Sequence, residues 1–386
     1  VLLQALRDFN LGKLTADDHG IFMGLLNDLF PKMLDQVPRQ RNESFEDKIV
    51  KSAVELGYQP EEAFVLKITQ LREIFGVRWS VFLLGPAGCG KTAVWRTLLL
   101  AQNKYGEKSR AVPVNPKAVY RNELYGFLHP STREWKEGLM SVTFRDMSNN
   151  KVYVNQWIVL DGDIDAEWIE SMNTVMDDNK VLTLVSNERI PFTPSMRMIL
   201  EIQDMKHASP ATVSRGGVLF INETDIGWKP YMESWREKMD QVQQSTFYML
   251  FSKYFEGNIE QIRKNFKFSC PMLDMGFVQS ITCFVDALLN SNTKENLEAM
   301  RAMSVEDQKL VFDAVFAFSM MWTIGGAIAD DKTVNYRKNF NAFMKPLSTA
   351  IKFPDAGDCF DYRFEPRLKE WVHWEQWVME YNPVAE

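Results

Sequence analysis

An α/β unit built on a parallel sheet, followed by an all-α unit, is the fold class this sequence predicts, and three features predict it. From Trp79 onward, short apolar runs alternate with amphipathic stretches, the pattern of strands joined by crossover helices. One such run, Val81-Phe82-Leu83-Leu84, leads straight into a glycine-rich octet and then a helix-forming stretch. After about Tyr231 the runs vanish, and apolar residues recur at helical spacing up to about Asp331. The chain of 386 residues is 46% hydrophobic and 25% charged, enough apolar material for two or three globular units. That composition excludes a mainly disordered or fibrous chain.

Ahead of the sheet, helices are predicted. Thr15-Ala16-Asp17-Asp18 has the form of a capping signal, and Ile21, Phe22, Leu25, Leu26, Leu29 and Phe30 follow at helical spacing. Pro31 and Pro38 then break the pattern. A second helix is read over residues 44–57, with Gly57 as its terminator. A third starts near Pro60 and carries Phe64, Leu71 and Ile74 towards Gly76.

Within the sheet, strands are predicted over residues 81–84, 157–160, 198–202 and 218–221. Residues 181–192, with Ser186-Asn187-Glu188-Arg189 at their middle, read as an inserted β-hairpin. Later, Ala314 to Ala329 gives 16 uncharged residues interrupted by Gly325-Gly326. A membrane span needs about 18 or more, so a buried core helix is the better reading.

Charge narrows the function classes. Lys and Arg total 44 against 51 Asp and Glu, a net charge of −7, which argues against a dedicated nucleic-acid binder. Four cysteines, Cys89, Cys270, Cys283 and Cys359, contain no C-x-x-C pair, so neither a zinc site nor a disulfide framework is indicated, and a reducing compartment fits. The chain opens at Val1 without a methionine and closes at Ala385-Glu386, which reads as a piece of something longer.

The octet Gly85-Pro86-Ala87-Gly88-Cys89-Gly90-Lys91-Thr92 fits G-x-x-x-x-G-K-[ST], between an apolar strand and a helix as that motif requires. Glycines let backbone N–H groups approach phosphate oxygens, and the helix N-terminus adds its positive dipole end. Lys91 is placed to reach the β- and γ-phosphates, and the Thr92 hydroxyl to ligate Mg2+. A nucleoside phosphate site is therefore predicted.

Such sites also need an acidic Mg2+ ligand at the end of a neighbouring strand. Asp161, after Trp157-Ile158-Val159-Leu160, is the candidate. Hydrolysis further needs a base or water-positioning group beside the γ-phosphate. In ring-forming ATPases it is usually a Glu at the next residue, but here that residue is Gly162. Asp163, Asp165 and Glu167 follow. One of them could substitute as base, or Asp163 and Asp165 could cap the helix carrying Trp168, Ile169 and Met172, the reading favoured here. Binding is strongly signalled, whereas turnover is not.

The α/β-then-helical order with this P-loop resembles an AAA+ module. More narrowly, Asn115-Pro116-Lys117-Ala118, Glu123-Leu124-Tyr125-Gly126 and Thr132-Arg133-Glu134-Trp135-Lys136-Glu137-Gly138 resemble the second AAA+ module of a dynein heavy chain. So do Asp161-Gly162-Asp163, Asn173-Thr174-Val175-Met176-Asp177-Asp178-Asn179-Lys180 and Ala208-Ser209-Pro210-Ala211-Thr212-Val213-Ser214-Arg215. Ser186-Asn187-Glu188-Arg189-Ile190-Pro191 and the stretch from Ile221-Asn222 to Gly227-Trp228 look most like axonemal outer-arm chains of the β type.

The resemblance implies four parts. Residues 1–40 are the helical tail of the preceding module, 41–230 the large α/β nucleotide-binding domain with β-hairpin inserts, 231–345 the small helical domain, and 346–386 the lead-in to the next module. It implies a segment of an ATP-driven microtubule motor, with coiled coil elsewhere in the full chain. In that ring the first module is the main hydrolytic site, and the second binds ATP with little or no turnover.

Arg215 is similar in position to an arginine finger given to the first module's nucleotide. Asp204 falls near the place where an Asn usually senses the γ-phosphate. Residues 115–145 correspond to an insert that meets the motor's linker arm, and Tyr58, Gln59 and Phe64 are candidate neighbours of the adenine. The implied ligands are ATP (or ADP) and Mg2+. The implied partners are the neighbouring modules and linker of the same heavy chain, with intermediate chains, light chains and microtubules reached through the full motor. Neither nucleic acid nor a membrane is expected. The implied location is the cytoskeleton of the cilium or flagellar axoneme, with the cytoplasm as the alternative. The functional alternative is a hydrolytically competent module using a displaced carboxylate.

Overall fold

The computed structural model describes residues 2–33, 36–39, 41–289, 303–330, 333–347 and 350–378. They fall into two compact units, Val1–Gly227 and Trp228–Glu386. The first begins with α1 (Leu2–Leu11), α2 (Ala16–Leu29), α3 (Glu43–Glu55) and α4 (Glu62–Val77). Helix α2 lies where its spacing predicts, but the Thr15 hydroxyl donates to Asp18 Oδ2 at 2.8 Å instead of capping a backbone N–H. Of its apolar face only Leu26 is buried, while Ile21, Leu25 and Leu29 are exposed. The start of α3 is capped by Asn42, whose Oδ1 accepts from Phe45 N at 3.1 Å.

From there strands and helices alternate: β1 (Ser80–Leu84), α5 (Lys91–Tyr105), β2 (Ser109–Val114), α6 (Arg121–Tyr125), β3 (Gly126–Leu128), β4 (Trp135–Glu137), α7 (Leu139–Asn149) and β5 (Asn155–Asp161). Then come α8 (Ala166–Met176), β6 (Val181–Thr183), β7 (Arg189–Pro191), β8 (Met196–Ile202), α9 (Pro210–Arg215), β9 (Gly217–Phe220) and α10 (Glu223–Ile226). Five strands form one parallel sheet in the order β2-β5-β8-β1-β9. All four predicted strands are in it.

Both faces of that sheet are covered, so alternation splits its residues between two cores. Val81, Leu83, Trp157, Val159 and Ile199 face α3, α4 and α5, while Phe82, Leu84, Ile158, Leu160 and Leu200 face α7 and α8. The unpredicted strand β2 is an edge, where Pro113 costs no ladder bond and Arg110 can reach Gln156 Oε1 at 2.7 Å. The predicted hairpin is β6–β7, paired Leu182 to Ile190, with Asn187 in the turn at φ +66°. A second antiparallel hairpin, β3–β4, lies in the 115–145 stretch.

The other unit contains α11 (Lys229–Arg236), α12 (Gln241–Leu250), a π-helical turn (Phe251–Glu256), α13 (Ile259–Asn265), α14 (Asp274–Leu289), α15 (Val305–Ile324) and α16 (Tyr336–Met344). The apolar run predicted as a core helix lies in α15 and the 3-10 turn after it. Val305–Ala327 is long and apolar enough to cross a membrane, yet 72% of its most apolar window is buried inside the protein. Phe251 meets Phe316 edge-on at 4.8 Å, and the buried Asp313 accepts from the Tyr254 hydroxyl at 2.9 Å. The sequence does not announce the final hairpin, β10 (Tyr362–Glu365) with β11 (Glu370–His373). Its Trp371 stacks on Phe353 with ring centres 4.0 Å apart.

Candidate nucleotide-binding site

Strand β1 stops at Leu84 and α5 begins at Lys91, so residues 85–90 form the turn between them. A Cβ at Gly85 would lie 2.4 Å from the Ile221 carbonyl oxygen and 2.6 Å from Cys89 Sγ. Gly90, at φ +98°, enters the helix from the left-handed region. Glycine alone meets both demands without strain. The turn thus wraps the N-terminus of a 15-residue helix, whose first amides have no intrahelical acceptor. Cys89 points inward at 5% exposure, and burial pushes its thiol up, so it packs and is not a nucleophile.

Lys91 lies over the turn, its Nζ donating to the carbonyls of Gly85 (2.7 Å) and Pro86 (2.8 Å). The Thr92 hydroxyl donates to Glu201 Oε1. One turn further along α5, Trp95 Nε1 donates to Glu201 Oε2 at 3.0 Å. Glu201 lies near the C-terminal end of β8, opposite Leu83 of β1 on one side and Asp161 of β5 on the other. Asp161 is exposed at the tip of β5, and Gly162 N donates back to the Glu201 carbonyl at 3.3 Å. The sheet therefore brings Thr92, Asp161 and a carboxylate not predicted from the sequence, Glu201, to one edge.

Asp163 and Asp204 make local bonds of their own, whereas Asp165 stands just before α8, where a cap would be. Asp163 does not cap α8; its Oδ1 accepts from Gln203 N at 3.0 Å and ties the β5 exit to the β8 exit. The carbonyl of Asp165 accepts from Ile169 N at 3.1 Å at the start of α8. The side chain of Glu167 lies outside the described residues. Asp204 turns to Lys206, accepting from its N at 3.0 Å and its Nζ at 2.9 Å, and those bonds hold its carboxyl below the usual range. Gly162 has room for a side chain: a Cβ would stand 3.4 Å from Asn115 Oδ1 and Pro116 Cδ, which is ordinary contact.

Arg215 closes the short helix α9, which Ser209 caps by accepting from Thr212 N at 3.1 Å. Its Nε donates to Asp177 Oδ1 just beyond α8, and both side chains keep solvent access. Of the suggested adenine neighbours, Phe64 is buried in the core behind α5, and Tyr58 rests edge-on against it at 6.0 Å.

These groups suit a magnesium nucleotide. Mg2+ prefers hard oxygen donors, and on a nucleotide it takes only one or two from protein. Thr92 and Asp161 supply that number. The described residues hold no cluster of three or more His, Cys, Asp or Glu that could bind a metal without the phosphates.

Comparison with known proteins agrees with this geometry. The family described as AAA domain (dynein-related subfamily) matches residues 80–216, and Dynein heavy chain AAA lid domain matches residues 247–376. Hydrolytic ATP binding site of dynein motor region matches residues 1–92. The flagellar outer-arm dynein beta chain of Chlamydomonas reinhardtii is 55% identical over 385 residues, 100% of this chain and 8% of that one. The chain belongs to the dynein heavy-chain family. The ciliary dynein beta chain of Tripneustes gratilla is 44% identical over 100% of this chain and 8% of its own length. Human dynein axonemal heavy chain 17 is 43% identical over 97% of this chain and 8% of its own. The chain thus spans about a twelfth of the dynein heavy chains it matches, and cilium or flagellum is the location their names share. The sheet with its P-loop and the helical unit correspond to the AAA and lid matches, so the fold is an AAA+ module with a helical small domain.

Proposed function

We propose that this segment is the second AAA+ module of an axonemal dynein heavy chain, binding ATP with Mg2+ mainly in a structural or regulatory role. Residues 1–40 would belong to the preceding module, 41–230 and 231–345 to the large and small domains, and 346–386 to the approach to the next. The phosphate cradle supports binding. Lys91 can exchange two neutral carbonyl acceptors for phosphate oxygens, which make stronger charge-assisted bonds. Thr92 and Asp161 would hold the metal, which when bound offsets phosphate charge.

The observation that carries the non-hydrolytic part is Gly162 beside Asp161. With no carboxylate there, a base would have to come from elsewhere. Yet Asp163 accepts from Gln203 N, Asp204 from Lys206, and both oxygens of Glu201 from α5. Arg215, half-exposed at the end of α9, would serve the preceding module's nucleotide, stabilising charge on the transferring phosphoryl group. Asp177 would hold its Nε and leave the two terminal amino groups to point outward. Through the full motor, the partners would be the neighbouring modules and linker, the intermediate and light chains, and microtubules.

Nucleotide content and single-turnover hydrolysis test this in a full heavy chain whose preceding site is disabled. ATP retained for many minutes is the expected result. Prompt conversion to ADP would instead favour the displaced-base reading.

A further inference from the structure

We infer that Glu201 is a positioning residue for the metal, orienting the Thr92 hydroxyl so that its oxygen lone pairs face Mg2+. This rests on the proposal that the site binds a magnesium nucleotide.

A lone carboxylate in a central parallel strand is costly, because burial removes it from water. Glu201 is only 7% exposed, amid Met198, Ile199, Leu200 and Ile202. Its two oxygens are satisfied from a single element: Thr92 Oγ1 and Trp95 Nε1 lie three residues apart on one face of α5. A threonine hydroxyl has one hydrogen and two lone pairs. Once its hydrogen is committed to Glu201, its rotation is fixed and its lone pairs point away from the carboxylate. The negative charge behind the hydroxyl also makes its oxygen a better metal donor. Asp161, directly opposite Glu201 in the register, completes the edge on which the metal would sit.

Glutamine at 201 keeps the shape and breaks the logic. With its amide oxygen towards Thr92, its NH2 meets the Trp95 N–H, donor against donor. Flipped, its NH2 meets Thr92, and the hydroxyl loses its anionic acceptor.

The test uses the full heavy chain and a fluorescent ATP analogue, with Mg2+ varied against a chelator. Signal from this site is the part removed by Lys91→Ala. Glu201→Gln is expected to raise the Mg2+ concentration for half-maximal retention about 10- to 100-fold. Retention of the analogue without Mg2+ should change less than about twofold. Trp95→Phe should shift the Mg2+ requirement the same way by less, and the double variant should fall short of the product of the two shifts, because both act through one carboxylate. A Glu201→Gln chain that melts lower but keeps its Mg2+ requirement within about twofold would overturn the inference, leaving Glu201 as a tie between helix and sheet. If Lys91→Ala removes no signal, the nucleotide-binding reading falls and the inference with it.

Discussion

On the proposed reading, a carboxylate placed where Gly162 stands would supply the base that the site lacks. The backbone at Gly162 does not lie in the left-handed region, and a Cβ there would meet nothing closer than 3.4 Å. Gly162→Glu should therefore change folding stability by no more than about 0.5 kcal/mol, the range of substitutions away from packed or strained positions. A positioned general base contributes roughly 10²- to 10⁴-fold, about 3–5 kcal/mol off the barrier. The assay is quenched single turnover of labelled ATP bound at this site, in a full heavy chain with the preceding site disabled. Gly162→Gln is the control, matching the side chain in size without supplying a base.

The glutamate variant should convert its ATP at least a hundredfold faster than the parent, and the glutamine variant should stay slow. Two results would refute the reasoning. A parent chain already turning over at about 1 s⁻¹, an ordinary enzymatic rate, would mean that a displaced group does the work. A folded, ATP-loaded glutamate variant no faster than the glutamine control would mean that the missing base is not what limits the site.

Four further perturbations have definite outcomes. Lys91→Ala removes a charged donor worth about 1.5–3 kcal/mol, so equilibrium binding should weaken about 10- to 100-fold at this site. Gly85→Ala would press a methyl against the Ile221 carbonyl at 2.4 Å, and thermal melting should show a loss of about 1–3 kcal/mol. Arg145 donates to both oxygens of Glu188 and holds its carboxyl below the usual value, so the stabilisation is present above about pH 4.3 and is lost as pH falls through the folded value. The melting difference between parent and Glu188→Gln, below about 1 kcal/mol for so exposed a pair, should shrink as the pH is lowered from neutral into the acid range. Arg215→Ala should slow hydrolysis in the preceding module by about 10³- to 10⁵-fold while leaving nucleotide content here unchanged, and unaffected hydrolysis there would remove the trans role.

Legibility followed burial. Strands β1, β5, β8 and β9 are covered on both faces and read as continuous apolar runs, so they were visible. Strand β2 was not, because Arg110 and Pro113 interrupt it and only an edge tolerates them. The cradle was legible because Gly85, Gly90 and Lys91 each meet a backbone or charge requirement that few other residues could. Glu201 is hidden inside an apolar run, and the more conspicuous Asp204, three positions later, bonds locally to Lys206. Strand alternation could have found it: Ile199 lies in the same core as Trp95 and Leu98 of α5, so position 201 is on the sheet face that α5 covers. A single charge at the carboxyl end of a central parallel strand is also where such sheets hold ligands. The exposed face of α2 and the β10–β11 hairpin had no comparable signal.

On the proposed reading, binding and turnover are encoded in different places. Binding resides in the β1–α5 turn, where backbone geometry, a helix terminus and two side chains act together, and where a Cβ at Gly85 would strike the backbone. Turnover at Asp161-Gly162 depends on one side chain in a position that tolerates change. A module can therefore lose hydrolysis by a single substitution and keep its grip on nucleotide. Ligand held at a thousandfold above its dissociation constant adds about 4 kcal/mol to the folded state. A site that hydrolyses would give part of that back in each cycle as ATP becomes ADP. One that retains ATP keeps that contribution throughout, while neighbouring sites turn over.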